Sequence, residues 1–257
     1  MPDPSPVLSL SNVTKHFGGF TAVDGVSFDV PEGVIGGLIG PNGAGKTTLF
    51  NALAGMIECD DGNVSLDGRR IDGLKPHQVF SAGLARTFQI PRPFPEMSVL
   101  ENAMIVPERQ PGELFWNNWL RPGRVADQEK AVREKANEVI AFCGLERVRT
   151  DPAKTLSGGQ LKLLELARVM MAEPRIILLD EPAAGVNPTL IASLVDKIQS
   201  LNERGQTFLI IEHNMDVVMS ICDPIMVMAQ GKLIYQGDTE GARADQTVLD
   251  AYLGDLP

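Results

Sequence analysis

The run Gly40-Pro41-Asn42-Gly43-Ala44-Gly45-Lys46-Thr47 matches G-x-x-x-x-G-K-[ST] at every position. The spacing has a physical use. Glycines let successive backbone N–H groups curl around a phosphate, Lys46 reaches the β- and γ-phosphates, and the Thr47 hydroxyl ligates Mg²⁺. The apolar "VIGGLIG" before the loop and "LFNALAG" after it predict a strand, a turn and a helix. The helix N-terminus adds favourable charge for an anion. A glycine-rich turn with a chance lysine is the plain alternative, and the flanking elements argue against it. The pattern predicts a nucleoside triphosphate site.

A second group closes the apolar run "RIILLDEP": Asp180 and Glu181 stand together at the end of a core segment. Two charges there suit a division of labour, with Asp180 holding Mg²⁺ through water and Glu181 polarising the attacking water. A solvated pair at a strand end is the bland alternative. His213 likewise closes an apolar run, "TFLIIEH", and a lone histidine in that place is more often an ordinary loop residue.

A third stretch, "TLSGGQLKLLELAR", begins a helix with the residues that weaken helices most. Ser157 and Gln160 read as a capping box, yet Gly158 and Gly159 fill its first turn. Each costs roughly 0.8–1 kcal/mol against alanine inside a helix. Missing side chains leave the free N–H groups of that turn open to an approaching anion.

These residues need a scaffold. A chain of 257 residues with 44% hydrophobic content can bury a substantial core. The formal net charge is −10, and the basic stripe typical of nucleic-acid binders is missing, so no nucleic-acid partner is expected. The cysteines, Cys59, Cys143 and Cys222, have no metal-ligand spacing and suit a reducing compartment. The opening "MPDPSPVLSL" lacks the charged and apolar regions of a signal peptide, and no apolar run approaches the roughly 20 residues of a membrane span. A soluble, intracellular protein is expected.

Residues 7–30 alternate as short strands, and "GNVSLDGRRI" predicts paired strands around Asp67-Gly68. From Val125 to Cys143, Val132, Ala136, Val139, Ile140 and Cys143 mark one helical face. The runs ending at Asp180 and His213 lack alternation, as strands buried on both faces of a parallel sheet do, and a helix over 188–204 joins them. "IMVMAQGKLIYQG" closes as a hairpin around Gln230-Gly231.

Taken together, these pieces resemble the ATP-binding cassette ATPases of membrane transporters over nearly the whole chain. "GPNGAGKTT", which includes Thr48, matches the Walker A motif, Gln89 in "RTFQ" the Q-loop, and "LSGGQ" the signature. "IILLDEP" matches the Walker B motif, "AGVNP" the D-loop and "IIEH" the H-loop. The resemblance implies an α/β P-loop cassette with a RecA-like nucleotide-binding core and an antiparallel β lobe over 1–89 and 161–257. A helical subdomain from about 90 to 160 completes it. It implies ATP and Mg²⁺ as ligands and makes His213 a γ-phosphate contact. Gln89 becomes a Mg²⁺ and water contact that senses the membrane partner. Phe17 takes the place of the aromatic that stacks on adenine, with core packing as its alternative.

The family's cassettes dimerise head to tail. The resemblance therefore assigns Ser157, Gly158, Gly159 and Gln160 to the partner subunit's ATP. It also implies a homo- or heterodimer of ATPases, two permease subunits and a periplasmic or lipoprotein solute-binding protein, with this chain peripheral on the cytoplasmic face of the inner membrane. Within the family, "RTFQIPRPFPEMSVLENAMI", "DEPAAGVNP", "EHNMDVVM" and an insert near 107–125 resemble importers of branched-chain or similar hydrophobic amino acids. Leu161-Lys162 and Val186 depart from the family's usual Gln-Arg and leucine. Trp116 and Trp119, with Phe115, form either a face for the permease or a lid on the helical subdomain. Cassettes for urea or amide uptake, for lipid or lipopolysaccharide extraction, or for non-transport work remain the alternatives. The last would bring coiled coils, zinc modules or a second cassette, which this sequence lacks.

Overall fold

The structure is a computed structural model that describes residues 6–87, 92–107, 122–213 and 215–253. The chain divides into two compact units. The first draws on residues 1–89, 174–184 and 198–257. The second draws on 90–173 and 185–197.

In the first unit, β1 (Pro6–Phe17) and β2 (Phe20–Pro31) form a long hairpin. They join β4 (Asp61–Leu66) and β5 (Arg69–Arg70) in an antiparallel sheet ordered β2-β1-β4-β5. The turn between the last two works as its sequence predicts: Asp67 and Gly68 take φ of 47° and 72°, the positive values a two-residue hairpin needs. The second sheet is ordered β10-β9-β3-β8-β7-β6. It contains β3 (Ile35–Ile39), β6 (Leu84–Arg86), β7 (Ile176–Asp180) and β8 (Thr207–Ile211). β9 (Ile225–Ala229) and β10 (Lys232–Gly237) complete it. From β9 to β6 every pairing is parallel; only β10 runs antiparallel, through the Gln230-Gly231 turn.

Every residue of β3, β7 and β8 is buried, as their unbroken apolar runs require. Helix α1 (Lys46–Leu53) buries Leu49, Phe50 and Leu53 in an apolar cluster shared with both sheets. Each such side chain contributes ~1.5–3 kcal/mol. That packing is what fixes the helix following the phosphate loop. α2 (Pro76–Ala82) lies between β5 and β6, and α7 (Met215–Ile221), α8 (Thr239–Ala244) and α9 (Gln246–Leu253) belong to the same unit.

The second unit is helical: α3 (Val99–Met104), α4 (Pro122–Phe142), α5 (Gly158–Met171) and the first part of α6 (Pro188–Asn202). Ala136, Val139, Ile140 and Cys143 are buried, as the helical spacing predicts. Asn102 is fully buried and knits the preceding loop. Its amide donates to the carbonyls of Phe94, Met97 and Ser98, and its Oδ1 accepts from Phe94 N–H at 2.8 Å. Lys197 donates to the Phe142 carbonyl at 2.7 Å, placing a cation at the C-terminus of α4. The expected boundary near 160 is displaced. α5 is one uninterrupted helix that packs on α3 and α4, so the unit continues to 173, and it also takes in 185–197. The insert near 107–125 with Phe115, Trp116 and Trp119, and the loop residue Gln89, lie outside the described residues, apart from Pro107 and the start of α4.

Candidate functional site

The parallel sheet brings the predicted chemistry to one edge. The phosphate loop follows the carboxyl end of β3, His213 follows that of β8, and Asp180-Glu181 close β7. These three strands are neighbours in the order β3-β8-β7. Carboxyl ends of adjacent parallel strands are where open α/β sheets bind ligands.

Three glycines shape the phosphate loop for different reasons. Gly40 has φ of 147°, and a Cβ there would collide with the Met228 carbonyl oxygen on β9. Gly45 has φ of 99°, and a Cβ would collide with the Ala22 carbonyl oxygen on β2. Both are demanded by the scaffold behind the loop. Gly43 has φ of 78° with nothing near its would-be Cβ, so it faces outward with the exposed Asn42, while Ala44 is buried and Pro41 half-buried.

Lys46 is 95% shielded, and its ammonium donates to the carbonyls of Gly40 at 2.7 Å and Pro41 at 2.9 Å, folding the loop around it. Burial pushes that ammonium below its ordinary value, and the nearby Glu181 carboxylate works in the opposite direction. The α1 N-terminus has no side-chain cap, so the amides of its first turn are left for an anion. Thr47 is exposed and Thr48 half-buried at that turn.

At the end of β7, Asp180 is buried and pairs through Oδ2 with Arg86 of β6 at 2.7 Å. Among the described residues its Oδ1 has no hydrogen-bond partner. Glu181 takes φ of 47°, a left-handed conformation that costs a non-glycine residue roughly 1–2 kcal/mol. The kink is held where its N–H donates to the Ile211 carbonyl and its carbonyl accepts from Ala184 N–H. It turns the chain out of the strand, and His213 Nε2 lies 2.9 Å from Glu181 Oε1. A hydroxyl at Thr47 and a carboxylate at Asp180 are hard oxygen donors, the type that suits Mg²⁺.

Residues that pattern reading passed over also hold the site. Glu212 is 3% exposed; its Oε1 accepts from Ala183 N–H at 2.6 Å and its Oε2 from His213 N–H at 3.1 Å. One buried carboxylate thus fixes the chain after Glu181 and the histidine that meets it. The signal was an acid at the end of an apolar strand, overshadowed by His213 beside it. Arg86, which pairs with Asp180, carries no local sequence signal either. Behind the phosphate loop, a cavity of ≈ 290 Å³ separates Asn42 and Gly43 from Thr247 and Asp250 of α9. Burial pushes the Tyr252 phenol up to about 12, with a backbone hydrogen bond from Gly40 working the other way.

Phe17 is 52% exposed at the tip of the β1–β2 hairpin, opposite the exposed Phe20, with Lys15 Nζ 5.7 Å from its ring centre. It is not a core residue. In the second unit, the capping box forms as spelled: Ser157 Oγ accepts from Gln160 N–H and Gln160 Oε1 accepts from Ser157 N–H. The two glycines inside it differ. Nothing lies within 4 Å of a Cβ built on exposed Gly158. A Cβ on buried Gly159 would run into Leu190 Cδ2, with Leu190 Cγ at 2.8 Å. Helix packing therefore accounts for Gly159, while Gly158 keeps open space where a side chain would stand.

Comparison with known proteins agrees with this geometry. Residues 23–184 match the family described as ABC transporter. A high-affinity branched-chain amino acid transport ATP-binding protein of Pseudomonas aeruginosa is 40% identical, over 97% of this chain and 98% of its own length. The crystal structure of a nucleotide-free ATP-binding cassette from an ABC transporter superposes with a TM-score of 0.83 at 38% identity, covering 97% of this chain and all of that one. A cassette crystallised in its ADP conformation superposes with a TM-score of 0.82 at 36% identity, covering 97% of this chain and 99% of its own.

Proposed function

Because the chain belongs to the ABC transporter family, we propose that it is the ATP-hydrolysing subunit of an importer. It would power uptake of branched-chain or other hydrophobic amino acids through separate permease subunits. The observation that carries the reaction is the meeting of three parallel strand ends: the Lys46 loop, Asp180-Glu181 and His213 on neighbouring strands. The substrate class rests on near full-length similarity to a transport protein of that description.

In this reading the uncapped first turn of α1, with Lys46, Thr47 and Thr48, binds the phosphates, and the outward face at Gly43 lets them approach. Asn42, Pro41 and the loop glycines supply backbone shape, while Phe17 offers an exposed ring for the base. Thr47, Gln89 and, through water, Asp180 would hold Mg²⁺, which would supply positive charge against the negative charge that develops on the phosphates. Glu181 accepts a proton from water as its oxygen attacks the γ-phosphorus. The bond to the β–γ bridging oxygen breaks, leaving ADP and phosphate. His213 orients Glu181 from 2.9 Å and contacts the γ-phosphate.

Ser157, Gly158 and Gln160 would face the nucleotide of a second ATPase subunit, with Gly159 setting the helix against Leu190. Two permeases and an external solute-binding protein complete the system, and this chain works peripherally on the cytoplasmic face of the membrane. Among the described residues no helix is long and apolar enough to cross a membrane. Co-purification with candidate permease subunits, followed by ATPase assays with solute-binding protein and single amino acids, tests the proposal. Stimulation by leucine, isoleucine or valine is expected; stimulation only by urea, amides or lipid would overturn the substrate class.

A further inference from the structure

Arg86 ends β6, the edge strand that pairs in parallel with β7 and leads toward Gln89. Its side chain is 9% exposed and turns inward rather than to solvent. One terminal nitrogen lies 2.7 Å from Asp180 Oδ2. The other donates to Asn51 Oδ1 at 2.7 Å and reaches the Met56 sulfur at 3.4 Å. The guanidinium also sits over the Phe50 ring, 5.8 Å from its centre, and among the described residues its buried Nε has no hydrogen-bond partner. Next to it, Thr87 N–H donates to the Leu178 carbonyl and Thr87 Oγ1 accepts from Asp180 N–H.

Asn51 and Phe50 belong to α1, the helix that carries Lys46 and Thr47. Asn51 follows Thr47 by four residues, so both lie on one helical face. A guanidinium is planar and rigid, and a fork held at both ends transmits geometry that a single charge does not. Arg86 therefore ties the carboxylate of Asp180 to the helix face that bears Thr47. It engages Oδ2, and among the described residues Oδ1 has no hydrogen-bond partner.

We propose that Arg86 is a positioning residue that sets the orientation of Asp180 relative to Thr47, so that both oxygens are arranged for Mg²⁺ before nucleotide arrives. This deepens, and rests on, the reading of Asp180 as the metal's partner. Outer-shell groups that orient the partners of a metal commonly change its affinity ~10–100-fold when altered.

The test compares ATP affinity of the full chain in EDTA and in Mg²⁺, in a Glu181→Gln background so that ATP is not consumed. The ratio of the two affinities reports the metal's contribution. Arg86→Lys retains the charge beside Asp180 but loses the fork. It is expected to lower that ratio about tenfold while affinity in EDTA stays within about twofold. An unchanged ratio overturns the proposal, and so does an equal fall in both media, which would mark a purely structural role. If Arg86→Lys does not fold, Asn51→Ala, which removes the other end of the fork, takes its place under the same criteria. Asp180→Asn separates the two claims. If it abolishes the Mg²⁺ effect while Arg86→Lys does not, the metal reading stands and the positioning role is lost. If Asp180→Asn also leaves the ratio unchanged, the metal reading itself fails.

Discussion

Gly158→Ala and Gly159→Ala are adjacent substitutions for which the structure predicts opposite consequences. At Gly158 the added methyl meets nothing within 4 Å, so the helix gains propensity without strain. The gain is about 0.5–1 kcal/mol, or a rise of roughly 1–4 °C in unfolding temperature for a domain of this size. At Gly159 the methyl strikes Leu190 Cδ2 and crowds Cγ at 2.8 Å. The leucine is half-buried and can change rotamer, so the cost falls in the overpacking range of about 1–3 kcal/mol, partly offset by the same propensity gain. Differential scanning fluorimetry of the isolated chain reads both. Gly159→Ala should be less stable than wild type and should recover when combined with Leu190→Ala, because the two sites share one contact. ATPase activity should divide the other way: Gly158→Ala, although at least as stable as wild type, should lose cooperative hydrolysis if a partner's phosphates approach that turn. Equal stability of the two alanine variants, or no recovery with Leu190→Ala, would refute the packing account of Gly159. Full activity in Gly158→Ala would refute the access account of Gly158.

Lys46→Ala should weaken ATP binding by about 1.5–3 kcal/mol, the scale of a charge-assisted contact, read by nucleotide titration; unchanged affinity would remove the phosphate loop from the site. Mixing Lys46→Ala with Ser157→Ala, both in a Glu181→Gln background, should restore trapped nucleotide at one site of the mixed dimer. If mixed dimers form and trapping stays at the level of the separate mutants, each signature serves its own chain's nucleotide. Asp60 is held below its ordinary 3.8 by a hydrogen bond from Lys15 and another from His16 N–H. A folded carboxylate with a depressed pKa adds stability above its unfolded value that is lost as pH falls through the folded one. Asp60→Asn should therefore lower the unfolding temperature at pH 7, with the difference closing below pH 3.8; a pH-independent difference would contradict this.

Much of the molecule was legible because its local and global signals agree. The Asp67-Gly68 pair took the positive φ values that its residue types tolerate, and in Gln230-Gly231, which also has positive φ at both positions, the glycine is the residue suited to it. The Ser157–Gln160 box capped its helix with both predicted hydrogen bonds. The unbroken apolar runs became the fully buried β7 and β8. What stayed hidden depends on partners distant in sequence. Arg86 meets Asp180 across 94 positions, and nothing local distinguishes it from a surface arginine. Leu190 explains Gly159 only once α5 and α6 are packed. The extent of the helical unit is hidden for a related reason: the motif at 156–160 opens a helix that continues to Met171.

Phosphate release from the purified chain, compared between wild type and Glu181→Gln with ATP affinity measured alongside, tests the central claim most directly. A general base contributes ~10²–10⁴ in rate, so hydrolysis should fall by that factor while ATP remains bound with unchanged affinity. Hydrolysis by Glu181→Gln above a tenth of the wild-type rate would contradict the assignment of the strand-end carboxylate as the group that activates water.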